Sequence, residues 1–142
     1  MIQTISEASE NFCIHQIRAP YQISENVEKV RTIIAYIDIE TLAGVTYRVY
    51  IASEPSFAQR ISKVFLEEDE SDEETLIDMS LEAVNLIVGS AKVIAEETQT
   101  NEYNISTPHF VKLDLFDVDY DEAKVITIEQ DCMIIAIKEL NG

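Results

Sequence analysis

Between Val30 and Ile39 the apolar residues Ile33, Ala35, Ile37 and Ile39 alternate with Thr32, Tyr36 and Asp38, and only Ile34 falls out of phase. A period of two marks a half-buried strand. Val45, Tyr47, Val49 and Ile51 repeat the alternation after Leu42-Ala43-Gly44, where glycine permits a turn, so the two runs predict a β-hairpin. The period then changes. Pro55 suits a first helical turn, Ser53 is placed to cap it, and Phe57, Ile61, Val64 and Phe65 follow at i, i+4, i+7 and i+8. This amphipathic helix ends near Leu66. Ser71 and Glu74 form a capping box for a second, longer helix that carries Leu76, Ala83, Val84, Ile87, Ala91, Ile94 and Ala95 on its core side.

After Glu97 the strand period returns, in Val111 to Leu115, Val125 to Glu129 and Met133 to Ile137, with an acidic turn from Asp117 to Glu122. Phe12 to Ile17 reads as a weaker strand ahead of the hairpin. Strands, two helices, then strands predict an α+β fold, a mostly antiparallel sheet with two main helices on one face. No repeat or linker interrupts the pattern, so residues 1–142 are expected to form a single domain.

Charge narrows the function. The 142 residues carry 10 Lys and Arg against 27 Asp and Glu, a net charge of −17. Nucleic acid and anionic membrane are poor partners for such a chain, because phosphate binding needs clustered Lys and Arg. The run Glu67 to Glu74 reads as a solvated connection between the helices. No apolar stretch nears the roughly 20 residues that span a bilayer. The segment Met1 to Glu7 lacks the basic end and apolar core of a signal peptide, so a cytoplasmic location is expected. Cys13 and Cys132 are then reduced, semi-buried strand residues, and with His15 and His109 they match no zinc spacing.

Most catalytic motifs are missing. Asp117-x-Asp119-x-Asp121 resembles the start of a calcium loop, but Glu122 stands where that loop needs glycine and Ile128 where it needs glutamate. It reads as an acidic hairpin turn. Phosphate loops, nucleophile elbows and zinc helices have no counterpart here. What remains is a stripe on the long helix: Asp78, Glu82, Asn85 and Gly89, at steps of four, three and four. At about 3.6 residues per turn these share one narrow face. Polar faces are ordinary on surface helices. Asn85 and Gly89 are not, since asparagine is a mediocre helix former and a mid-helix glycine costs about 1 kcal/mol relative to alanine.

At these residues the chain resembles the CheC/CheX/FliY family of chemotaxis phosphatases. The family pattern is Asp or Ser, three residues, Glu, two residues, Asn, twenty-two residues, Pro. Asp78, Glu82, Asn85 and Pro108 meet every spacing. The resemblance implies removal of phosphate from the aspartyl group of a phosphorylated CheY-type response regulator, which itself supplies Mg²⁺; the chain needs no cofactor of its own. In that reading Asn85 orients the attacking water and Glu82 contacts a lysine of the regulator. Asp78, Gly89 and Lys92 face the partner, Gly89 by allowing close approach, and Pro108 fixes the chain beside the active helix. One Glu-x-x-Asn, with no FliN-like region after it, is most like the single-site CheX type, which implies a homodimer. CheX-type chains commonly open with an amphipathic helix, whereas residues 1–11 read as short and polar. Two alternatives stay open: a non-catalytic CheC-like or flagellar switch module that binds a regulator, and an acidic interaction domain with a coincidental motif.

Overall fold

In the computed structural model, which describes residues 1–141, the elements run α1 (Ile2–Phe12), a π-helical turn (Cys13–Ile17), β1 (Gln22–Ser24), β2 (Arg31–Thr41), β3 (Thr46–Ser53), α2 (Pro55–Leu66), α3 (Glu73–Thr98), β4 (Tyr103–Ile105), β5 (His109–Leu115), β6 (Glu122–Ile128) and β7 (Asp131–Glu139). The predicted hairpin forms as β2 and β3. Gly44 closes its turn at φ +90°, a backbone conformation that favours glycine. The hairpin sits inside a seven-stranded antiparallel sheet of order β1-β6-β7-β3-β2-β4. β2 has two partners along its outer edge: β5 pairs its first half and β4 its end.

All three α-helices contribute to one core against the sheet. Ile2, Ile5, Ala8 and Phe12 of α1, Phe57 and Ile61 of α2, and Ala83, Val84, Ile87, Val88 and Ala91 of α3 meet Ile37, Ile39, Val49, Ile51, Met133, Ile135 and Ile137 there. The α+β expectation with helices on one face therefore holds, with α1 as a third helix. Ile34, the residue out of phase in β2, faces the other side. It packs with Ala52, Phe116, Val125, Ile134 and Ala136 in a second, smaller cluster. Ile34 is the contribution of β2 to a partial core on the far face of the sheet.

The start of the chain differs from both expectations for it. Residues 2–12 do form an amphipathic helix, and Phe12 to Ile17 is no strand. Buried serines disguise the helix: Ser6 and Ser9 lie on the apolar side, and the Ser9 hydroxyl donates to the Ile5 carbonyl at 2.9 Å, so its polarity is spent on the helix backbone. The same helical path continues through the π turn until Arg18, at φ +60°, ends it. Cys13 is thus a buried helical residue rather than a strand residue, while Cys132 lies in β7. Burial pushes the Cys13 thiol up to about 11; burial together with Glu54 pushes Cys132 up to about 12. Both thiols are therefore protonated near neutrality.

The helix caps shift by one residue. Ser53 stays in β3, and Glu54 occupies the N-cap of α2 without a side-chain cap bond. Its carboxylate instead accepts the Cys132 N–H at 2.8 Å, tying α2 to β7. The cap of α3 is Asp72, whose Oδ1 accepts the Thr75 N–H at 2.8 Å, in place of the Ser71–Glu74 box. Ser71 is held by α2, its N–H donating to Gln59 Oε1 at 2.8 Å. The core sides of the helices also shift slightly. Val64 and Phe65 end at the rim rather than in the core, with Phe65 against Phe12, and Leu76 and Ile94 are only partly covered. In the acidic turn, Lys112 pairs with Asp117 at 3.1 Å and Lys138 with Asp119 at 3.0 Å.

Candidate functional site

The exposed face of α3 is set by the helix period and by what the other faces bury. Asp72 caps the first turn, and Glu73 and Glu74 complement the helix dipole. Hydrogen bonds from the Thr75 side chain and backbone hold the Asp72 carboxyl below its usual range. At the far end Gln99 leaves the helix at φ +54°. Between these ends Ser80, Ala83, Val84, Ile87, Val88, Ala91 and Ala95 are buried. At about 100° per residue they cover one broad arc, leaving the opposite side outward.

That outward side holds three parallel rows, because residues seven apart nearly superpose on a helix. Asp78, Asn85 and Lys92 form one row, Glu82, Gly89 and Glu96 the middle row, and Leu86 and Val93 the third. Asp78, Glu82 and Asn85 are exposed; Gly89 and Lys92 are half-exposed. The five residues expected on this helix thus share one face. Among the described residues no ion pair involves Asp78, Glu82 or Lys92, and no side-chain hydrogen bond engages Asn85. Their polar groups remain available to another molecule.

Gly89 has no structural reason inside the chain. Its backbone is helical, and a methyl group built on it meets nothing within 4 Å. Directly beneath, Val88 accepts a 2.7 Å hydrogen bond from the hydroxyl of Tyr103, a fully buried residue of β4. Burial, and then the nearby Glu96 charge, push that phenol well above its usual range. Tyr103 therefore pins the middle of α3 to the sheet just below the Asn85–Gly89 turn. Pro108 lies away from the stripe, half-buried in the link from β4 to β5, two strands that both touch α3. Ser106 fastens this link to β2: Asp38 N–H donates to Ser106 Oγ at 3.1 Å, and Ser106 N–H donates to the Asp38 carbonyl at 3.0 Å.

The stripe is convex. The largest cavity described, about 400 Å³, lies on the other side of the sheet beside Ser24, Glu54 and Cys132, and the outward face of α3 lines none of the cavities described. Small-molecule sites are concave. A protruding amide and carboxylate suit insertion into a pocket of another macromolecule. Leu86 and Val93 were not anticipated on this face, although each stands four residues beyond a stripe residue, after Glu82 and Gly89 respectively. Tyr103 had no sequence signal, since its role depends on which helix carbonyl lies above β4.

The chain has relatives among known proteins. Residues 36–131 match the family model described as chemotaxis phosphatase CheX. No curated protein matches the chain. The fold is similar to that of chemotaxis protein CheX from Vibrio vulnificus, with a TM-score of 0.78 and 17% identity over 97% of both chains. It is similar as well to the CheX–CheY–BeF3–Mg²⁺ complex from Borrelia burgdorferi, with a TM-score of 0.71 and 14% identity over 97% of both chains. Thermotoga maritima FliY gives a TM-score of 0.59 at 16% identity, over 96% of this chain and 84% of that one. The family match spans most of the hairpin, α2, all of α3 and the four motif positions, and the fold runs the same way beyond it: the chain belongs to the CheX family of chemotaxis phosphatases.

Proposed function

We infer that the chain performs its family's reaction through the outward face of α3, removing phosphate from the aspartyl group of a CheY-type response regulator in chemotaxis signalling. One observation carries the assignment to this face. Asn85 presents an uncommitted amide on a convex, well-anchored helix, one turn from an equally uncommitted Glu82.

Water attacks phosphorus, the bond to the regulator's aspartate breaks, and inorganic phosphate leaves with the regenerated carboxylate behind. The Mg²⁺ of the regulator supplies charge neutralisation at the phosphoryl oxygens. What this chain adds is position. Asn85 has an acceptor and two donors in one rigid plane, so it holds a water by one end and meets a phosphoryl oxygen with the other. It does so without bringing negative charge to a dianion. Glu82, about 4.5 Å back along the helix axis, is better placed as an anchor for a regulator lysine, since a carboxylate beside the phosphate would repel it. Asp78 and Lys92 extend the contact along the same row, and Pro108 and Ser106 hold the strands behind it.

The test is the phosphate lifetime of a CheY-type regulator phosphorylated in the presence of Mg²⁺, with and without this protein. Acceleration is expected at substoichiometric amounts. An unchanged lifetime with tight binding would leave a regulator-binding module instead of a phosphatase.

A single cytoplasmic domain that works as a homodimer completes this reading. No helix among the described residues is long and apolar enough to cross a membrane. The apolar side of α1 is spent on the chain's own core, so α1 is not the surface left for a second copy. The outer edge of the sheet is: Ile105, Phe110, Val111 and Leu115 are all exposed on β4 and β5. Long apolar edges pair with other chains unless covered. Sedimentation at micromolar concentration should give twice the 16.1 kDa chain mass, and a monomer at that concentration would refute the dimer.

A further inference from the structure

Gly89 leaves a gap in the side chains on the outward face of α3. Its helix-surface neighbours, at i−4, i−3, i+3 and i+4, are Asn85, Leu86, Lys92 and Val93. Apart from the adjoining helix backbone, a β-carbon there would meet nothing within 4 Å. Leu86 is 38% and Val93 52% exposed, whereas the helix's other aliphatic residues are buried or at least partly covered. We propose that this gap is a socket for an apolar side chain of the response regulator, with Leu86 and Val93 as its greasy wall. The proposal rests on α3 being the regulator-docking helix and adds how that docking gains affinity.

Position makes the contact unavoidable. The stretch from Asn85 to Val93 spans about 12 Å of helix, well inside an interface of roughly 800 Å² per partner. With the Asn85 amide in the phosphorylation pocket, the next two turns of the same face are pressed on the regulator surface. Gly89 lets backbone and partner approach there, and the helix accepts its conformational cost without any return inside the chain. Chemistry selects the occupant. Two of the four walls are aliphatic, so a charged group in the socket would lose hydration beside them. Acidic occupants are further disfavoured by Glu82 and Glu96 in the same row. An aliphatic or aromatic side chain excludes water from Leu86 and Val93 and leaves Lys92 free at the rim. The neighbouring rows then divide the labour: the polar row serves the chemistry and the apolar row serves adhesion.

The experiment pairs steady-state dephosphorylation with binding to a CheY-type regulator loaded with beryllofluoride and Mg²⁺. Leu86→Ser and Val93→Ser should each weaken binding and raise KM about tenfold, equivalent to about 1.4 kcal/mol, while kcat stays within about twofold. Gly89→Ala should raise the melting temperature, because alanine is the better helix former, yet weaken binding. Val93 is 52% exposed, so unchanged melting of Val93→Ser supports a binding effect rather than a folding one. If the Leu86→Ser/Val93→Ser double variant keeps wild-type KM and affinity while Asn85→Ala is inactive, the socket is wrong and the docking helix stands. If wild-type protein fails to bind the loaded regulator at all, the docking reading falls and the socket with it.

Discussion

Asn85→Ala is expected to lower kcat for the phosphorylated regulator by about 10²–10³-fold, the usual loss when one preorganised polar group aimed at a transition state is removed. The substitution leaves the fold intact. Asn85 is exposed and makes no side-chain hydrogen bond among the described residues, and alanine is the stronger helix former. Melting temperature should therefore stay level or rise. Affinity for the beryllofluoride-loaded regulator should change little, because the anchors on the neighbouring positions remain. This combination of lost turnover, retained binding and unimpaired stability separates a positioning amide from a structural one. An Asn85→Ala protein with wild-type kcat would refute the role. Asn85→Asp should be as inactive, because the same shape then carries a charge that repels the phosphoryl group.

Tyr103→Ala should be among the most destabilising single changes, costing about 3–5 kcal/mol, the range for emptying a large aromatic site in a core. Tyr103 is 1% exposed, and its hydroxyl is bonded to the Val88 carbonyl of α3. Total stabilities of about 5–15 kcal/mol leave little margin for such a loss. Tyr103→Phe separates the two contributions. It keeps the ring and forfeits only the hydrogen bond, for about 1 kcal/mol. Urea unfolding followed by circular dichroism measures both, and a Tyr103→Ala cost below about 1.5 kcal/mol would show that the ring is not a packed strut beneath α3.

Much of the architecture is legible from periodicity. The hairpin of β2 and β3, both long helices and the strands after them follow from periods of 2 and 3.6, because one face of each is apolar and the other polar. α1 is hidden from the pattern because Ser6 and Ser9 sit on its buried side, and a serine satisfied by its own helix backbone, as Ser9 is, still counts as polar. The strand expected from Phe12 to Ile17 fails for the related reason that a short apolar run fits either period. The helix caps slipped by one residue because Ser, Asp and Glu compete for the same orphan N–H groups, and backbone geometry decides among them. β1 and β4 leave no signal, since three-residue strands carry no measurable period.

For the candidate site the division is sharper. Sequence alone determined that Asp78, Glu82, Asn85 and Gly89 share a helix face, because α-helical geometry follows from local backbone angles, and it set Pro108 at the family spacing. It could not determine that this face is outward and convex, which depends on α1, the sheet and β4 burying the opposite arc. Nor could it decide that nothing packs over Gly89, that Tyr103 pins the helix from below, or that Leu86 and Val93 are exposed. Those properties come from long-range packing, in which residues distant in sequence compete for the same volume. Local periodicity names the face of a helix; only the tertiary structure says what that face is left free to touch.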